Sequence, residues 1–423
     1  MLKGRKSLIV IAALAGAGIS TRAAAQNAMT GAPTGDIGVK LSETNTLHVG
    51  VAAEAGYDSN VFYNDQATQS SAIVRVTPSF MVTNNGRDGT ARSAAVYTVG
   101  ANLTYREYLN ESENIRRQRA FVPTAVASLV LNGEKTRLNL GDMFTRTEDA
   151  PYFENGETIK RDSNQGTVGV GLSPGGGRIT LSLRYTNVLD YFESGYSYAS
   201  NMTHDGMIDG SWKWLPKTAL FLQVGGALVR YLNPSAAPPT PALQRDNSTQ
   251  VRALTGLRGL ITPKTTLGVS LGYSTAFYPA GSPSPSGVSN ILAQLEAGYM
   301  PTLLSKLGLT LTHGFRNSPV IGDYYDVDSA TLALNYALGR LVATAQSSAE
   351  YRRYHNYVDA MGNNVPRKDA LFGAGVGLDY YVQKWFYAGA SYGIGLARQS
   401  GDNSGAAVPF TKQQVFARLG LAY

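Results

Sequence analysis

Alternation with a period of two recurs from Leu47 to the last residue, and few architectures accommodate it. In LHVGVAAEAGY, Leu47, Val49, Val51, Ala53, Ala55 and Tyr57 share one face while His48, Gly50, Ala52, Glu54 and Gly56 share the other, which is the strand period. Tyr97 to Arg106, Ile179 to Thr186, Leu267 to Ser274 and Phe386 to Leu396 repeat the texture, with one face apolar and the other rich in Gly, Ser, Thr, Asn and Arg. The segments run about 10 to 14 residues, nearer the ~9–11 that cross a bilayer at a tilt than the ~5–6 of globular strands. A small polar face suits a water-filled lumen and does not suit a packed core.

Connections alternate in kind. Short ones carry turn chemistry, as in Asn132-Gly133-Glu134-Lys135, Pro174-Gly175-Gly176-Gly177, Leu215-Pro216-Lys217-Thr218, Thr262-Pro263-Lys264-Thr265 and Leu338-Gly339-Arg340. Longer polar or proline-rich ones separate them: Asp58 to Ser70, Asn110 to Gln118, Glu148 to Asp162, Leu232 to Ser248, Pro279 to Ser289, Asn317 to Asp323 and Ser400 to Thr411. These features predict an all-β fold, a transmembrane antiparallel up-and-down β-barrel of about 18 strands with both termini on the short-turn, periplasmic side. The chain ends on ARLGLAY, placing Val415, Ala417, Leu419, Leu421 and Tyr423 on the lipid face of a closing strand. Leu419, Leu421 and the terminal Tyr423 resemble the signal by which the barrel assembly machinery recognises bacterial outer-membrane proteins.

The first residues follow a different pattern. Lys3, Arg5 and Lys6 precede an apolar stretch from Leu8 to Ile19 and then Ala23-Ala24-Ala25, the three-part form of a cleaved secretory signal peptide over residues 1–25. Residues 26–45 read as a short, flexible periplasmic tail without a plug, and 46–423 as the barrel. Cleavage removes four bases and no acid, leaving 33 bases against 30 acids. A surplus that small gives no ground for a nucleic-acid partner, while the apolar strand face makes outer-membrane lipid the expected one. With no cysteine in the chain, disulfides and thiolate metal sites are excluded. Charged residues make up 16% against about 25% in soluble domains, and beyond the leader no run approaches the roughly 18 apolar residues of a membrane helix. Pro78, Pro123 and a lipid-facing Asp142 disturb the strand pattern, and a bulge or a shifted boundary is expected at each.

By parity the lumen face carries Arg75, Arg106, Arg137, Arg184, Lys213, Arg252, Arg258, Arg316, Arg352 and Arg418 against Glu54, Asp205, Asp209, Glu296, Glu350 and Asp379. Two readings fit this set: a ladder of interior salt bridges stiffening the wall, or a mildly cationic lining that attracts anions. The 25 tyrosines read chiefly as two interfacial girdles. Tyr57, Tyr63, Tyr105, Tyr108, Tyr185, Tyr191, Tyr196, Tyr198, Tyr231, Tyr273, Tyr278, Tyr324 and Tyr325 lie towards the long loops, and Trp212, Trp214, Phe221, Tyr299, Tyr336, Tyr380, Trp385 and Phe386 towards the short turns. The four histidines, His48, His204, His313 and His355, make no spaced metal pair, and no nucleophile, base and orienter assemble; the expectation is no enzyme, cofactor or metal. Asp323, Asp326 and Asp328 read as a solvated acidic loop or a weak calcium site, and the glycines of GAGVGL (373–378) as smooth wall.

AGYDSNVFYND (55–65), FTRTEDAP (144–151) and RDSNQGTVGVGLSP (161–174) resemble strands and loops of a β-barrel porin family that includes exopolysaccharide-operon proteins of Gram-negative bacteria. The resemblance implies an outer-membrane channel for secreted polysaccharide, working with a periplasmic polysaccharide-export protein. Unlike the larger exporters, the chain has no tetratricopeptide scaffold ahead of the barrel. The residues themselves leave two alternatives: a general diffusion porin for small, mildly anionic solutes, and a structural or adhesive outer-membrane surface protein.

Overall fold

The computed structural model describes residues 38–84, 94–147, 160–193, 195–233, 246–279, 287–302, 304–317, 324–355, 366–401 and 409–423. The signal-peptide and tail expectations up to residue 37 lie outside them. A two-residue strand β1 (Val39–Lys40) is followed by β2 (Asn45–Asp58), β3 (Ser71–Asn84), β4 (Ala95–Leu109), β5 (Ala120–Asn132), β6 (Thr136–Thr147), β7 (Arg161–Leu172), β8 (Ile179–Phe192) and β9 (Asn201–Leu215). The chain continues through β10 (Thr218–Tyr231), β11 (Ser248–Thr262), β12 (Thr265–Phe277), β13 (Gly287–Thr302), β14 (Ser305–Asn317) and β15 (Tyr324–Leu338). It ends with β16 (Leu341–His355), β17 (Arg367–Gln383), β18 (Phe386–Gly401) and β19 (Phe410–Ala422). One helical turn, α1 (Glu113–Arg116), lies between β4 and β5.

Strands β2 to β19 pair antiparallel with their sequence neighbours, and β19 pairs with β2, so 18 strands form a closed barrel. Closure leaves no unpaired edge. At the seam the ladder runs from Gln414 opposite Asp58 to Ala422 opposite Gly50. Tyr423 and Val49 then exchange both backbone hydrogen bonds at 2.7 Å, so the terminal aromatic is the last rung of the ring. The expected tail is ordered over its final residues: Val39 and Lys40 fold back onto Leu47 and Thr46 of β2.

Alternation sorts the wall into two faces. Val51, Val76, Leu183, Ile208, Leu222, Leu271, Val376, Leu378 and Leu419 are all exposed on the outer one. An apolar band of that extent is matched by hydrocarbon and by no aqueous surroundings. A 14-residue strand such as β2, rising ~3.3 Å per residue and tilted by about 40°, spans roughly 35 Å. That exceeds the ~25 Å apolar band of outer-membrane barrels, so outward polar groups near the loop ends, among them Arg146, Asp162, Asp326 and His355, fall beyond it.

Pro78 and Pro123 both point outward and neither causes a bulge. Pairing of β3 with β4 skips Thr77 and Pro78 and resumes in the same register. Pro123 stays opposite Leu103, while β5 joins β6 only from Thr124 onward. Asp142 faces outward in unbroken register, and its carboxylate accepts the Asn164 amide at 3.2 Å. The register shifts that do occur sit beside short turns, at Thr218/Ala219, Leu260/Thr262, Tyr299/Thr302 and Tyr381/Gln383. Asp326 and Asp328 are strand residues of β15 rather than loop ligands, engaged by His355 and His313; Asp323 lies outside the described residues.

Candidate functional site: the inner wall

Register fixes which side chains share the inner wall, and all sixteen charged residues singled out by parity lie on it. Most are joined in pairs. Arg75 reaches Glu54 at 3.8 Å, Arg252 meets Asp205 at 2.7 Å and Arg258 meets Asp209 at 3.2 Å. Glu350 takes both Arg352, at 2.5 Å, and Arg316, at 3.3 Å. Arg418 holds Asp379 through Nε at 2.6 Å and through Nη2. Glu296 accepts from the Gln294 amide at 2.6 Å, and Arg106 reaches the Gln118 carbonyl. Parity did not single out Arg161–Asp190, Arg367–Asp369 or Lys412–Asp58, although inward alternation extended towards the long loops would have found them. Pairing holds these cations beside carboxylates in partly dehydrated surroundings, where an isolated charge is costly.

Arg137, Arg184 and Lys213 are the exceptions. The Arg137 side chain donates only to Asn139 Oδ1 at 2.9 Å, and the side chains of Arg184 and Lys213 make no hydrogen bond or ion pair among the described residues. Lys306, inward on β14, is likewise without one. The sequence shows these as charges but gives no sign that they stand apart, because many of the wall's ion pairs join different strands.

Two long loops fold onto the inner wall beside the seam. Ile73, Leu371, Ala397, Phe410 and Phe416 face inward, and against them pack Val61 and Tyr63 from the loop after β2 and Ile115 of α1. Tyr63 takes a left-handed backbone (φ 54°), meets Phe410 edge-on with centroids 5.0 Å apart, and lies 3.8 Å beneath Lys412 Nζ. Asp65 secures the loop by accepting from the Thr411 N–H at 2.6 Å. Further round, the β13–β14 ladder ends at Ala293 opposite His313, and the end of β14 reaches inward. There the Asn317 amide donates to Ser248 Oγ at 2.9 Å, and its carbonyl oxygen accepts from the Tyr278 hydroxyl at 3.3 Å. The loop-side mouth is therefore narrowed by the chain's own packing.

This packing corrects the two-girdle expectation. Trp214, Tyr299, Tyr336, Tyr380 and Trp385 are exposed on the outer face at the short-turn end, but Phe221 faces inward beneath Arg258 at 5.0 Å. At the loop end Tyr57, Tyr185, Tyr191 and Tyr273 are exposed, whereas Tyr63, Tyr108, Tyr198, Tyr231, Tyr278 and Tyr325 are buried. Those buried rings carry cations, with Arg106 over Tyr108 at 5.5 Å and Arg352 over Tyr325 at 4.9 Å.

No protein-family model matches the chain, and no curated protein does. Among solved structures it is similar to OccAB3 of Acinetobacter baumannii, at 10% identity and a TM-score of 0.44 over 89% of this chain and 99% of that one. It is also similar to the outer membrane protein OpdK of Pseudomonas aeruginosa, at 11% identity and 0.42 over 89% and 99%. A third is P. aeruginosa OccK2 (OpdF) in complex with glucuronate, at 10% identity and 0.44 over 89% and 98%. At this distance the likeness is one of barrel form, and the chain's own closed ladder, apolar outside and charged inside carry the argument.

Proposed function

We propose that the chain is a bacterial outer-membrane channel through which small solutes diffuse, with a mild preference for anions. One observation carries the reading: inside a barrel whose outer wall is apolar, the inner wall holds cations that no carboxylate among the described residues neutralises, Arg137, Arg184, Lys213 and Lys306. Unpaired positive charge along a confined aqueous path raises the local concentration of anions and lowers their barrier to entry. Export of polysaccharide, implied by the sequence resemblance, has no further support; the inward packing of residues 59–70 and of α1 takes up room that a polymer would need. Small-solute diffusion therefore replaces it as the main reading.

Reconstitution in planar bilayers tests this. The folded chain is expected to open without any partner and, under a potassium chloride gradient, to give a reversal potential displaced towards that of chloride. Membranes that stay sealed, or a cation-selective pore, would refute it.

A further inference from the structure

On β6, β7 and β8 the paired pattern of the inner wall gives way to a trough. Asn139 stands opposite Gly169, which stands opposite Arg184; two residues nearer the short turns, Arg137 stands opposite Gly171, which stands opposite Ser182. Two glycines of β7 thus pave the floor between β6 and β8, whose backbones are about 10 Å apart, two strand spacings. Arg137 donates through Nε to Asn139 Oδ1, and that bond leaves the Asn139 amide nitrogen to lean over the floor. Nδ2 lies 3.7 Å from where a Cβ on Gly169 would stand.

The side chains flanking the trough offer donors: the Nη groups of Arg137, the guanidinium of Arg184, the Asn139 N–H2 and the Ser182 hydroxyl, which can donate or accept. Neither row contains a carboxylate. Asp209, opposite Ser182 on the far side of β8, is already taken by Arg258 at 3.2 Å and Gln223 at 2.8 Å. Most other arginines of the inner wall have an acid beside them; here, among the described residues, two guanidinium groups flank a glycine floor without one. An anion would relieve their mutual repulsion and accept several charge-assisted bonds together.

We infer that this trough binds the oxyanion of a small solute, a carboxylate or a phosphate, seated on Gly169 and Gly171 between Arg137 and Arg184. The inference deepens the channel reading and rests on it.

Acetate and inorganic phosphate, added separately to the reconstituted chain, are the probes, and the duration of current blockade is the readout. Blockade by acetate alone assigns a carboxylate site, by phosphate alone a phosphate site, and by both a general oxyanion site. R137Q and R184Q should each shorten the blockade by about tenfold, the loss of one charge-assisted bond, and R184K should recover part of it. Gly169→Leu should abolish blockade while keeping the strand content, since its Cβ meets only ordinary contacts. A conducting pore that neither probe blocks, or one blocked equally in R137Q and R184Q, overturns the site and leaves the channel standing. A chain that does not conduct overturns the channel reading instead. Calorimetric titration of the detergent-solubilised barrel with each probe then decides the trough alone, and no binding, or binding unchanged in the two glutamine variants, overturns it.

Discussion

Asp379 and Arg418 show what residue scale adds to alternation. Each reads from the sequence as an inward charge, but that they form one ion pair, 39 residues apart, follows only from register across β17, β18 and β19. Gly389 lies between them, and a Cβ there would stand 2.1 Å from Asp379 Oδ1, so glycine at this position is a condition of the pair. Both charges are buried, at 7% and 6% exposure. Arg418→Gln should therefore cost about 3–5 kcal/mol in urea unfolding of the liposome-folded barrel, because it leaves a buried carboxylate uncompensated. The double variant Asp379→Leu/Arg418→Leu should recover much of that loss; a single variant as stable as the parent would mean that water reaches the pair.

Among the elements, strand periods were readable and loop destinations were not. Residues 59–70 read as a polar loop, and most are polar, yet Val61 and Tyr63 turn inward onto β3, β17, β18 and β19. Part of what holds this loop lies more than 300 residues away, Phe410 against Tyr63 and Thr411 on Asp65, and no local pattern encodes that. Replacing Tyr63 by Ser together with Asp65 by Ala removes the ring beneath Lys412 and the anchor at Thr411. Single-channel conductance should rise as the loop leaves the mouth. Conductance equal to that of the parent would show that another constriction limits flow, the inward end of β14 being the first to test.

For the whole molecule, the physical divide is between an oily outside and a wet, charged inside. Leu271 sits mid-strand on β12 with 59% exposure, and Trp214 near the short-turn end of β9 with 55%. Nearly equal exposure conceals different surroundings, since one meets the middle of the apolar band and the other its margin. Leu271→Arg should destabilise the membrane-folded barrel by about 2–4 kcal/mol and Trp214→Arg by roughly 0–1 kcal/mol. Denaturant titration of the two variants in lipid measures the contrast, and equal losses would contradict the assigned depth.

Local chemistry determined the number of strands, the face each residue occupies and the closing position of the final strand, because side chains two residues apart share a side whatever the rest of the chain does. Proline was the exception that proved harmless: Pro78 and Pro123 point outward where ladder rungs are missing, so neither needed the expected bulge. Tertiary structure alone decided which arginines are neutralised, which tyrosines outside the strands are buried and which loops enter the mouth. Those outcomes depend on partners brought from distant strands by register around a closed ring, and closure is a property of the whole wall that no single segment carries.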